Sequence, residues 1–137
     1  MRLFVDTSAF IALEDRSERV HPPARAFFEQ LTSADRLYTS NYVVDETITR
    51  LRYMVGHGPA VKFADAVLGG RLFSIAYIDA DLEKAAVRVL KKFKDKKLSF
   101  TDCTSIALVE QQRLDGVFAF DDDFTSLGLN MFPARGA

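Results

Sequence analysis

The chain has 137 residues, of which 48% are hydrophobic and 27% charged, and its formal net charge is −1. That is apolar material for one core and one domain of ordinary size over 1–137, and the charge balance excludes a nucleic-acid binder that works by bulk electrostatic attraction. No apolar run approaches bilayer length, Met1-Arg2-Leu3-Phe4-Val5 lacks the apolar stretch and small-residue cleavage site of a signal peptide, and the single Cys103 excludes an internal disulfide or a cysteine-based zinc site. A soluble, cytoplasmic protein without membrane contact is expected.

Leu3-Phe4-Val5 is a short continuous apolar run, the pattern of a strand covered on both faces. Ser8 to Leu13 reads as a helix. Pro22 and Pro23 open another through Ala26, Phe27 and Leu31, because proline is tolerated in a first turn. Arg36 to Thr39 predicts a second strand. Ser40 or Asn41 then caps a helix carrying Val44, Ile48, Leu51 and Val55 at helical spacing. Gly56-His57-Gly58-Pro59 ends it, and a further helix over about Ala60 to Leu68 stops at Gly69-Gly70. Phe73 to Ile78 forms a third strand, after which Asp79 or Asp81 starts a helix with Leu82, Ala85, Ala86, Val89 and Phe93 on one side. Lys91 to Lys97 holds five lysines and Asp95, and reads either as a solvated helix end favoured by the dipole or as a basic contact edge. Thr101 begins a helix to about Gln112, Val117 to Phe120 is a fourth strand, and Asn130 to Phe132 is a short fifth. Such alternation predicts an α/β domain with a mostly parallel sheet. His21 and His57 read as ordinary loop residues, since no second nitrogen or sulfur ligand stands at ligand spacing.

Two strands end alike: Leu3-Phe4-Val5 meets Asp6, and Val117 to Phe120 meets Asp121. Ligands of open parallel sheets bind beyond the carboxyl ends of the strands. If the two strands are neighbours, their ends lie ~4.8 Å apart. Carboxylates that close repel each other unless a divalent cation lies between them; otherwise each aspartate serves as a helix cap. Asp102 stands at helical spacing from Ile106 and Val109, on what reads as an inward stripe. A carboxylate there is costly unless paired or metal-bound, or else it belongs to a first turn that the dipole favours. Glu46 points away from its helix's stripe and faces a cleft, water or Arg50 at i+4, and Asp45 is a comparable candidate. Asp123, in the run Asp121-Asp122-Asp123, is either a further ligand or the cap of a short helix over Phe124 to Leu127.

Val5-Asp6-Thr7-Ser8-Ala9, Thr39-Ser40 leading to Asp45-Glu46-Thr47, Leu98-Ser99-Phe100-Thr101-Asp102 and Phe120-Asp121-Asp122-Asp123-Phe124 span nearly the whole chain. In that order and spacing the set resembles the PIN-domain family, in particular the VapC-type toxins of bacterial toxin–antitoxin pairs. The resemblance implies a three-layer α/β/α sandwich with a mostly parallel four- or five-stranded sheet. It implies a metal-dependent endoribonuclease that hydrolyses RNA phosphodiesters with Mg²⁺ or Mn²⁺, as the toxin of a type II pair. Asp6, Glu46, Asp102 and Asp121 take the catalytic acidic-quartet positions on this reading, and Thr7 or Ser8 takes the hydroxyl position supporting the first acid. The resemblance favours Glu46 over Asp45 and puts Asp123 where many members carry an additional metal-binding acid. The triple acid departs from the pattern and leaves Asp121 against Asp123 open as the stronger ligand. An RNA substrate, a cognate antitoxin protein and a homodimer are the implied partners, and 5′-phosphate and 3′-hydroxyl ends the implied products.

Phosphodiester cleavage needs an activated water and charge relief on the leaving oxygen, which metal ions supply where no histidine is suitably placed. Tyr42, Arg50 and Arg52 are candidate RNA contacts or ordinary helix surface. Three other readings compete. A non-catalytic RNA-binding or scaffolding module gains nothing from clustered negative charge. An aspartate-nucleophile phosphatase matches only at Asp6 and wants a second aspartate where Ser8 stands, while a receiver-type domain wants an early acidic pair and a late lysine.

Overall fold

The computed structural model describes residues 1–134. In chain order the elements are β1 (Arg2–Val5), α1 (Thr7–Glu14), α2 (His21–Gln30), β2 (Arg36–Ser40), α3 (Asn41–Met54), α4 (His57–Gly69), β3 (Phe73–Ala76), α5 (Ala80–Lys92), α6 (Phe100–Gln112), β4 (Gly116–Phe118), α7 (Asp123–Ser126) and β5 (Met131–Phe132). The strands form one five-stranded sheet in the order β3-β2-β1-β4-β5, parallel throughout. The chain steps outward from β1 to β3 and then crosses back to β4. The order therefore reverses between β1 and β4, and the crevice beyond their carboxyl ends is where such sheets take ligands.

Right-handed crossovers put α1 to α4 on one face and α5 to α7 on the other. The packing agrees: α3 lies on α4 and α1, α1 on α2, and α5 on α6. The expected three-layer α/β/α sandwich is what forms. β1 is buried from Leu3 to Val5, which is why its sequence is apolar without alternation. Phe10 on α1 meets Phe63 and Phe73 edge-on, each at 5.1 Å between ring centroids, and Phe27 meets Phe118 at 4.8 Å. Full burial of a ring such as Phe10, Phe63 or Phe118 contributes roughly 1.5–3 kcal/mol, and the partly buried Phe27 and Phe73 contribute less. Gly116 starts β4 where an added Cβ would stand 2.5 Å from the Asn130 carbonyl oxygen, so glycine lets β5 pair closely. No described helix is long and apolar enough to cross a membrane.

Several element ends differ from expectation. β4 stops at Phe118, not Phe120, so Asp121 does not follow the strand directly. The β1–β4 register pairs Val5 with Phe118, which sets Asp6 level with Ala119. β3 stops at Ala76 because the Ile78 amide donates to the Asn41 side chain at 2.8 Å and leaves the ladder. α4 begins at His57, ahead of Ala60, with Pro59 in its first turn where no intrahelical amide bond is lost. Gly56, with φ of 150°, makes the break from α3.

Candidate functional site

Asp6 is the first residue beyond β1 and the N-cap of α1. Its Oδ2 accepts the Ser8 amide at 3.0 Å and the Ser8 hydroxyl at 2.6 Å. The Ser8 oxygen in turn accepts the Phe120 amide at 2.9 Å, so one hydroxyl ties Asp6 to the segment beyond β4. Between the two candidates for the hydroxyl position, the structure sets Ser8 against Asp6. The Thr7 hydroxyl is buried with no hydrogen-bond partner. Asp6 is only 5% exposed. Burial pushes its carboxyl up from 3.8 to about 6 against the pull of the Ser8 hydroxyl and amide, and the charges of Asp102 and Glu46 add to the rise.

Asp102 is the third residue of α6 and closes a capping box. It donates its amide to the Ser99 hydroxyl at 3.0 Å and accepts the Ser99 amide on Oδ2 at 3.1 Å. The expected inward stripe is not what positions it: Cys103 to Val109 are all buried, so α6 has no dry and wet faces there. The helix start positions it instead. Asp102 is half-buried, and burial raises its carboxyl, opposed by Ser99 and helped by the charges of Asp121 and Glu46.

Glu46 lies one turn into α3 and is partly exposed, while Asp45 faces solvent. The Glu46 charge acts on both Asp6 and Asp102. Among the described residues no ion pair joins it to Arg50; the pairs are Met1 with Asp35 and Arg25 with Glu29. Asp121 acts on Asp102, and its Oδ1 accepts the Asp123 amide at 3.0 Å. Asp123 is exposed, is the first residue of α7, and is not among the charges that shift Asp6 or Asp102. It is not the helix cap either, since Asp122 holds that position. Asp6, Glu46, Asp102 and Asp121 thus share one electrostatic neighbourhood with Asp123 at its rim. No three described His, Cys, Asp or Glu residues already stand as a closed metal shell.

Three hydroxyl and amide groups hold this edge, among them Ser40, which takes the expected cap position of α3. Thr39 donates its hydroxyl to the Val5 carbonyl at 3.0 Å, fixing the end of β1. Ser40 accepts the Val43 amide and starts α3, and Asn41 ties α3 to the loop after β3. The Ser99-x-x-Asp102 spacing carries a further readable signal, that of a capping box. Tyr42 is engaged: its hydroxyl donates to Glu83 at 2.5 Å and its ring lies 6.4 Å from that of Phe100. Arg50 and Arg52 are exposed on α3. His21 opens α2 with Nδ1 2.7 Å from the Ala12 carbonyl, and His57 opens α4, so neither is a loop residue. A cavity of about 710 Å³ between α1, α2, α4 and β3 touches none of the clustered acids.

The sequence profile of the PIN domain matches residues 3–129. The 23S rRNA-specific endonuclease VapC20 of Mycobacterium tuberculosis is 32% identical over 126 residues, covering 92% of this chain and 94% of its own. A VapC ribonuclease of Archaeoglobus fulgidus is 27% identical over 128 residues, covering 91% and 80%. The crystal structure of the Mycobacterium tuberculosis VapC20, a sarcin-ricin-loop-cleaving toxin, superposes with a TM-score of 0.88 at 31% identity, covering 93% and 96%. FitAcB from Neisseria gonorrhoeae shares the fold, with a TM-score of 0.71 at 18% identity over 96% of each chain. The match runs through four of the five strands and every acid-bearing segment, and the chain belongs to the PIN-domain family, among its VapC-type members.

Proposed function

We propose that the chain is the ribonuclease of a toxin–antitoxin pair and cuts RNA at the sheet edge where Asp6, Glu46, Asp102 and Asp121 gather. The observation that carries this reading is the mutual field of those acids: burial and neighbouring negative charge together raise both Asp6 and Asp102. A fold does not retain such a conflict for stability, because each raised carboxyl makes its ionised form less favourable.

The donor set fits a hard divalent cation. It is all oxygen, it carries several negative charges, and it includes a nearly buried carboxylate beside the unsatisfied Thr7 hydroxyl. Asp6 and Asp102 would hold Mg²⁺ or Mn²⁺, Glu46 and Asp121 would complete the set, and Asp123 at the rim is the subsidiary candidate. The ion would supply Lewis acidity toward the phosphate and lower the pKa of a water molecule. The chain's own part is positioning. Ser8 fixes the Asp6 carboxylate by two donors, Ser99 fixes Asp102, and the first turns of α1 and α6 direct their amide dipoles at the acids.

Toxin–antitoxin complexes are among the solved structures with this fold, such as VapBC-1 of Haemophilus influenzae. An antitoxin protein is accordingly the proposed partner, and a homodimer the proposed assembly. Incubation of a defined RNA set with Mg²⁺, Mn²⁺ or EDTA tests the central claim. Cleavage should require the metal, and Asp6→Asn or Asp102→Asn should lower it at least ~10²-fold. Variants that cut as fast as the wild type would show that these acids are not the machinery.

A further inference from the structure

A second cavity, of about 240 Å³, opens at Ser8, the residue whose hydroxyl holds Asp6, on the side of the α1–α2 connection. Ser8 and Phe120, the two residues whose hydrogen bond ties Asp6 to the segment beyond β4, both line it. Arg19, from the α1–α2 connection, and Arg50, from α3, line it as well. Both side chains are exposed, and among the described residues neither guanidinium has an ion-pair or hydrogen-bond partner. Two unpaired guanidinia from distant parts of the chain therefore share a pocket with the serine that holds Asp6.

Building on the ribonuclease reading, we propose that this pocket is a nucleotide subsite, in which Arg19 and Arg50 grip the RNA phosphate next to the one being cut. The acids repel a polyanion, and the whole chain is at net charge −1, so the attraction that brings RNA to this edge has to be local. Guanidinium groups match phosphate oxygens in a bidentate manner. Ile11 and Val20 give the pocket an apolar side that suits a base or ribose face. Glu18 also lines it, and a carboxylate there disfavours a bare phosphate ion while accepting a ribose hydroxyl or a base N–H. The cavity is smaller than a drug-sized ligand site, in keeping with one nucleotide of a longer strand.

The test compares Arg19→Ala, Arg50→Ala and the double variant with wild type, using Arg71→Ala, exposed ahead of β3 at the opposite end of the sheet, as the control. Cleavage of single-stranded RNA with Mg²⁺ should show KM raised about tenfold for each single variant, with kcat within about twofold. Fluorescence anisotropy of a labelled RNA oligonucleotide with the full chain in EDTA should show binding weakened to the same degree, and a salt slope reduced by about 0.7 for each phosphate no longer neutralised. Arg→Lys variants should recover only part of it. Both sites are on the surface, so thermal unfolding should not move. Wild-type KM and anisotropy in the double variant would overturn the subsite while leaving the ribonuclease reading standing. An equal loss in Arg71→Ala, or a fall in kcat at constant KM, would overturn it too. A wild-type chain that neither binds nor cuts RNA with any metal would fail the ribonuclease reading itself, and the subsite with it.

Discussion

Asp6 concentrates the tension of the site in one side chain. Its carboxyl ionises near 3.8 in an unfolded chain and at about 6 in the folded one. Between those values the folded protein keeps a proton that the unfolded protein has released, so stability falls as pH rises through roughly 4 to 6. At about 1.36 kcal/mol per pH unit, ionised Asp6 costs the metal-free fold on the order of 3 kcal/mol at neutral pH. Asp102, raised for the same first reason of burial, adds to the same slope. Thermal unfolding in EDTA across this window should show a falling midpoint. The Asp6→Asn curve should be flatter and higher at pH 7, and added Mg²⁺ should raise the wild-type midpoint most above pH 6. A variant curve parallel to wild type would assign the slope to other groups. The sequence made Asp6 visible as the residue ending a buried strand. It could not choose between Thr7 and Ser8, because that choice depends on which hydroxyl can reach the Phe120 amide, a partner 112 residues away from Ser8.

At the scale of elements, the site is made of helix starts. α1 begins on Asp6, and α6 begins on Ser99 with Asp102 in its first turn, so the groups that end the helices also place the acids. Ser99→Ala removes the hydroxyl that accepts the Asp102 amide and leaves the Ser99 backbone amide that donates to the Asp102 carboxylate. Denaturant unfolding should register a loss of about 1 kcal/mol with an unchanged m-value, and Ser99→Thr should restore most of it. A neutral Ser99→Ala would mean that the hydroxyl adds nothing to the hold of the Ser99 amide on Asp102. Most elements were legible as apolar runs separated by turn residues, and they failed at their ends for separate reasons. Ala119 and Phe120 prolong the apolar run of β4, but the Phe120 amide goes to Ser8 and not to a neighbouring strand. Gly58-Pro59 reads as a breaker, yet a first turn has no amide bond for proline to remove. α6 is buried over Cys103 to Val109, so its sequence has no stripe from which Asp102 could be oriented.

For the whole molecule, the net charge of −1 hides a separation of charge. The acids converge at the β1–β4 edge, while Lys94, Lys96 and Lys97 stand exposed in the segment that leads into Ser99 and Asp102. Lys92, at the end of α5, lies with Nζ 5.3 Å from the Phe93 ring centroid, and so differs from the three lysines beyond it. A solvated helix end explains Lys91 and Lys92 through the dipole. It does not explain a basic segment carried past the helix to the threshold of the acids. On the ribonuclease reading, these lysines hold the strand some distance from the cut and contribute mainly through counterion release. Replacing Lys94, Lys96 and Lys97 together with glutamine should weaken RNA binding in EDTA and flatten the plot of log affinity against log salt by up to about 2, or roughly 0.7 for each phosphate left without its lysine. Cleavage at saturating RNA and the unfolding midpoint should stay as in wild type, because exposed lysines contribute little to stability. An unchanged salt slope would return the segment to ordinary solvated surface and leave the local attraction to Arg19 and Arg50.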